Sequence, residues 1–91
     1  MNLSPKTFQL GGRTWTVRHV GKRKWYGKTE PSDCRIEISA LCKTPESVEH
    51  TFLHELLHAA AIQMSWSKLN DDEDGIDALA SLLRQALTTT K

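Results

Sequence analysis

Apolar residues in this chain change their period once, near residue 40. Before that point they alternate with polar ones. Trp15 and Val17 are interleaved with Thr14, Thr16 and Arg18, and Cys34, Ile36 and Ile38 share a face opposite Arg35 and Glu37. A period of two marks a half-buried strand, because successive side chains leave opposite sides of the pleat. TFQLGGRTWTVRHV therefore predicts a strand, a Gly11-Gly12 turn and a second strand, and CRIEIS predicts a third. The intervening GKRKWYGKTEPSD carries turn chemistry at Gly21, Gly27 and Pro31-Ser32-Asp33 and is expected as a loop or distorted hairpin.

Beyond residue 40 the pattern is helical. Thr44-Pro45-Glu46 combines a capping hydroxyl, a proline at the first helical position and an acid in the first turn. Nothing then interrupts a helix over about 45–64, where Val48, Thr51, Phe52, Leu53, Leu56, Leu57, Ala60 and Ala61 form a broad apolar surface. SWSKLNDD reads as a connection. A second helix is predicted over about 71–87, with Ile76, Leu79, Ala80, Leu83 and Leu87 as its stripe. Three strands within about 7–39 followed by two main helices predict an α+β fold, a small antiparallel or mixed sheet packed on the helices.

At 91 residues the chain is expected to be one domain, 1–91, near the lower size limit for a single core. A core this small leaves a margin of about 3–5 kcal/mol, so a bound metal would be a useful staple. The net charge of +1 points to no acidic or basic partner. One local cluster, Lys22-Arg23-Lys24 beside Trp25 and Tyr26, suits phosphate contact with base stacking. Its plainer reading is a solvated loop with Trp25 folded inward, so nucleic acid is the lesser expectation. Cys34 and Cys42 lack CxxC spacing and read as reduced thiols. MNLSPKTFQL has no apolar run of signal-peptide length, and no stretch reaches 18 apolar residues. A cytoplasmic monomer without a membrane span is expected.

The most apolar part of the chain, TFLHELLHAA, contains His54-Glu55-Leu56-Leu57-His58. Histidines at i and i+4 lie on one helix face, about 6 Å apart along the axis, and can converge on one ion. Zinc prefers such nitrogen donors, and a catalytic zinc keeps one position for water. Glu55, beside the first histidine, is placed to take a proton from that water as general base. A surface helix with a chance HExxH is the bland alternative. The uncharged flanks oppose it, because unpaired polar groups in a buried helix are costly. His50 continues the row one turn earlier, too far for direct bonding to the same ion, and reads as solvated surface or a substrate-side contact. His19, on a predicted strand, reads as structural.

A third ligand must come from elsewhere, and NDDEDGID is the source. Acids also gather at helix starts for the dipole, and Asn70…Glu73 has capping-box spacing. A helical wheel separates them. Glu73 falls at the edge of the stripe of Ile76, Ala80 and Leu83, whereas Asp74 points away. Glu73 is the expected ligand, Asp72 the alternative, and Asp77 the acceptor that orients a ligand histidine.

TFLHELLHAA followed by EDGIDALASLL resembles the gluzincin metallopeptidases, in which HExxH precedes a helix bearing a ligand Glu and, four residues later, an Asp. Glu73-x-x-x-Asp77 matches that pattern. YGKTEPSDCRIEIS is similar to the segment that precedes the motif helix in minimal zincin domains of small phage and bacterial proteins, related to the SprT-like and ImmA/IrrE peptidases. The resemblance spans about residues 10–87. The Ala-Asn-x-Phe-Ala signature of ImmA/IrrE is absent, with Asp77-Ala78-Leu79-Ala80 in its place, and the lack of a third motif histidine argues against metzincins. The resemblance implies a minimal zincin fold, zinc as cofactor, a peptide or protein substrate and, for a phage protein, residence in the host cytoplasm. It further implies that the strand before the motif helix, Cys34–Ser39, borders the cleft and pairs with substrate, which makes Ile36 and Ile38 substrate-binding residues. Tyr26, His50 or an arginine could supply an additional electrophile.

Overall fold

Gly11 and Gly12 sit at φ 61° and 75° between two strands, a left-handed pair that only a two-residue hairpin of this hand requires. The computed structural model describes residues 2–91. The hairpin joins β1 (Thr7–Leu10) to β2 (Arg13–Val20), with Phe8 opposite Trp15. β3 (Gly27–Glu30), a 3-10 turn at Pro31–Asp33 and β4 (Arg35–Ser39) complete the sheet, whose order is β1-β2-β4-β3. β4 runs parallel to β2 and antiparallel to β3. Three helices follow: α1 (Pro45–Gln63), the single turn α2 (Ser67–Asn70) and α3 (Glu73–Thr89).

The α+β class is as predicted; the strand count is not. GKTE forms β3 where the sequence suggested a loop, because neither alternation nor β-branched content marks it. Its backbone bonds to β4, pairing Thr29 with Ile36 and Gly27 with Ile38, and tertiary pairing overrides weak propensity. The connection SWSKLNDD likewise contains α2.

Trp15, Val17, Cys34, Ile36 and Ile38 form the buried face of the sheet, and Leu3, Phe52, Leu53, Ala59 and Ala80 pack with them in the core. Phe8 stacks on Trp15 at 5.9 Å and meets Phe52 edge-on at 5.5 Å, which ties the hairpin to α1. On α3 the predicted stripe buries Ile76 and Ala80 and half-buries Leu83 and Leu87, but Leu79 is 39 % exposed. His19, read as structural, is exposed on β2. Cys34 and Cys42 are free thiols. Among the described residues no helix is long and apolar enough to cross a membrane.

Both long helices start as their chemistry dictates. Thr44 accepts a hydrogen bond from the Ser47 N–H at 3.1 Å. Asp72 accepts from the Gly75 N–H at 2.9 Å, so Asp72, not Asn70, caps α3. α1 stops at a left-handed Ser65 (φ 53°), where Ser65 N–H bonds to Ile62 O and Trp66 N–H to Ala61 O. This is the Schellman arrangement with serine in glycine's place. It turns the chain into α2, after which α3 runs back along α1, where Arg84 pairs with Glu49 at 3.1 Å.

Candidate metal centre

α1 carries His50, His54 and His58 in one row, each one turn from the next. The ring centroids of His54 and His58 are 5.0 Å apart, and those of His50 and His54 6.4 Å. α3 enters beside this row with Glu73 in its first turn. One Glu73 carboxylate oxygen lies 3.1 Å from His54 Nε2 and the other 2.8 Å from His58 Nε2.

The far nitrogen of each ring is anchored separately. His54 Nδ1 lies 3.2 Å from Asp77 Oδ1, and His58 Nδ1 lies 2.8 Å from Asn70 Oδ1. Oxygen acceptors at both Nδ1 atoms keep the protons there and leave lone pairs on both Nε2 atoms. Those lone pairs face a carboxylate, which has only lone pairs to offer. Three acceptors at 2.8–3.1 Å need a positive charge between them. A proton on one histidine supplies part of it; a divalent cation fits the whole donor set. His54, His58 and Glu73 are thus positioned to hold a metal ion.

Asp77, expected from the sequence to orient a ligand histidine, lies within hydrogen-bond distance of His54 Nδ1. It also accepts from His50, whose Nε2 lies 2.8 Å from the same oxygen. That hydrogen bond holds the Asp77 carboxyl below the usual carboxylate range, with His54 adding to it and desolvation opposing. His50 therefore belongs to the polar network around the histidines and is not simply solvated. Asp72, the alternative ligand, is spent on the α3 cap. Asp74 is exposed on α3, away from the cradle.

Glu55 is only 8 % exposed. Its Oε2 lies 3.9 Å from His54 Nε2, at the edge of the cradle. Its Oε1 accepts a hydrogen bond from the Thr29 hydroxyl at 2.9 Å. The same hydroxyl lies 3.1 Å from the Glu55 main-chain oxygen, so its one proton is shared between two acceptors of this residue. Gly27 makes the approach possible, since a Cβ there would stand 2.5 Å from Thr51 Cγ2 and 2.9 Å from Glu55 Cγ.

The cradle opens into a cleft of about 880 Å³, lined among others by Trp25, Tyr26, His50 and Ile62. Tyr26 is 60 % exposed at its rim and Trp25 is half-buried there rather than in the core. Tyr26 and His50, two of the expected electrophiles, line the cleft; among the described residues no arginine does.

Ile36 and Ile38, expected as substrate-binding residues, are 0 % and 1 % exposed under α1. Their strand, β4, is bonded on both sides and has no free edge. The strand that borders the cleft with an open edge is β3, since Gly27, Lys28 and Thr29 line it. The resemblance pointed to the apolar strand, whose alternation reports burial and not position in the sheet. Thr29 and Asn70 also escaped the sequence reading. Neither sits at motif spacing, and only the pairing of β3 and the reversal at Ser65 bring them to the site. Comparison with protein-family models, characterised proteins and solved structures finds no match.

Proposed function

We propose that this protein is a zinc-dependent metallopeptidase of minimal size, with His54, His58 and Glu73 as the residues that would hold the ion and Glu55 as general base. The observation that carries the reading is the junction of two features: two imidazoles and a carboxylate converging as one donor set, and a buried carboxylate at their edge, 3.9 Å from His54 Nε2. Two imidazoles and a carboxylate suit zinc, and three protein ligands leave the fourth position that a catalytic site keeps open. When bound, the ion supplies a Lewis acid that acidifies water and polarises a carbonyl.

The chain's own residues do the rest. Thr29 fixes one oxygen of Glu55 and leaves Oε2 facing the cradle. Glu55 takes a proton from the attacking water there and returns it to the leaving amine. Asp77 and Asn70 hold the ligand rings in register. The open edge of β3 binds an extended peptide through main-chain hydrogen bonds, which makes affinity tolerant of sequence.

A metal-stabilised binding module is the rival reading, favoured by exposed Lys22, Arg23 and Lys24 next to the exposed Tyr26. Such a module has no use for a base beside the ion. Glu55→Gln tests the difference, since it keeps size and hydrogen bonding but removes the base. The variant is expected to retain zinc and its melting midpoint while cleavage of a mixed peptide library falls roughly 10²-fold or more. Unchanged cleavage with zinc in place would defeat the mechanism.

A further inference from the structure

His54 belongs to two groups of donors at once. Its Nε2 faces His58 and Glu73, and its Nδ1 faces His50 and Asp77. In each group one ligating atom from every residue lies within 4.8 Å of the other two. The nitrogen-to-carboxylate separations are alike. His50 Nε2 and His54 Nδ1 lie 2.8 and 3.2 Å from Asp77 Oδ1, against 2.8 and 3.1 Å from Glu73 for the first group. Donors held at about 2.0–2.1 Å around a tetrahedral ion stand roughly 3.3–3.4 Å apart. The carboxylate contacts of both groups already suit such an ion, while the His50 and His54 rings, 6.4 Å apart against 5.0 Å for His54 and His58, have further to close.

The likeness has a geometric origin. α1 and α3 run antiparallel across this face, as His58–Glu73, His50–Asp77 and Glu49–Arg84 contacts show. Moving one turn back along α1 replaces His54/His58 by His50/His54. Moving one turn forward along α3 replaces Glu73 by Asp77. The second group is the first translated by a turn, with His54 common to both.

We propose that His50, His54 and Asp77 form a second seat for a divalent ion of the nitrogen- and oxygen-preferring class, such as zinc, cobalt(II) or nickel(II), and that the two seats alternate. A neutral imidazole has one lone pair. When His54 binds an ion through Nε2, its Nδ1 keeps the proton and donates it to Asp77, which leaves the second seat with two ligands. When Nδ1 binds, the first cradle loses its central histidine. Both seats share His54 and each has an exposed carboxylate, Asp77 at 60 % and Glu73 at 66 %, so they differ in openness at their own histidine, His50 at 31 % against His58 at 12 %. An ion there is held at the rim of the cleft and draws Asp77 away from orienting His54.

Cobalt(II) and zinc binding, measured by competition with a chromophoric chelator, tests this without any turnover. Wild type and His50→Ala should each hold one ion tightly. His58→Ala should still bind one ion more weakly, and adding His50→Ala should lower that residual affinity at least about tenfold, since even partners outside the ligand set are worth that much. Zinc should shift the His50 ring-proton signals of His58→Ala but not those of wild type. Should His58→Ala fail to fold by circular dichroism, Glu73→Gln at a 66 % exposed side chain disables the first seat instead. Residual binding indifferent to His50→Ala, or none at all, overturns the second seat. That failure leaves tight wild-type binding that His58→Ala abolishes, whereas failure of the His54–His58–Glu73 reading appears as wild-type zinc affinity that His58→Ala leaves unchanged.

Discussion

At the scale of single residues the site turns on which oxygen each histidine nitrogen meets. Glu73 faces both Nε2 atoms, and Asp74, its neighbour, faces neither. Glu73→Ala should therefore lose the tightly bound ion and Asp74→Ala should keep it, as metal analysis after gel filtration would report; equal behaviour would refute the assignment. Asn70 is a finer test. Its side-chain oxygen is the partner of His58 Nδ1, so Asn70→Ala frees the ring to rotate and to carry its proton on either nitrogen. Zinc affinity should drop about 10–100-fold, the usual range for such partners, with little change in the circular dichroism spectrum. His54, Glu55 and His58 were legible in the sequence because their spacing alone brings them together on one helix. Glu73 and Asp77 were legible from the wheel of α3. Asn70 and Thr29 were not, since their roles arise from a chain reversal and a strand pairing that no local pattern encodes.

Among the elements, β3 shows how a weak strand can matter more than a strong one. β4 announces itself by alternation and is buried; β3, with glycine, lysine, threonine and glutamate, announces nothing and forms the open edge beside the cleft. Its closeness to α1 depends on Gly27. Gly27→Ala should push β3 from α1 and destabilise the fold by about 1–3 kcal/mol, the cost of overpacking. A substitution that leaves the melting midpoint unchanged would show that the strand can yield freely. Thr29→Val separates packing from hydrogen bonding. It keeps the shape but removes the donor to Glu55 Oε1, so kcat should fall roughly tenfold, as befits a lost hydrogen bond to a charged group worth ~1.5 kcal/mol. KM and zinc content should hold steady, and Thr29→Ser should restore kcat. A valine variant with wild-type kcat would mean that Glu55 is positioned by packing alone.

For the molecule as a whole, the cradle ties together parts that otherwise touch through a thin core. α3 contributes only Ile76 and Ala80 as buried residues, and Leu79 and Leu82 face outward. Its hold on α1 relies on the Glu49–Arg84 pair, on half-buried Leu83 and Leu87, and on the row of histidines meeting Glu73 and Asp77. An ion held in that row would link the two helices directly. The unfolded chain has no comparable site, so the binding free energy adds to folding stability. At a free zinc concentration of about 100 times the dissociation constant the gain is ~2.7 kcal/mol. For a domain of this length each kcal/mol moves the midpoint by roughly 4–8 °C, so zinc should raise it by about 10–20 °C. Thermal melts with zinc and with a chelator measure this, and α3 should lose amide protection first once the metal is removed. The histidines must shed their protons to bind, so the increment should shrink on acidification. Coincident melts with and without metal would place the stability of the α1–α3 contact in side-chain packing alone.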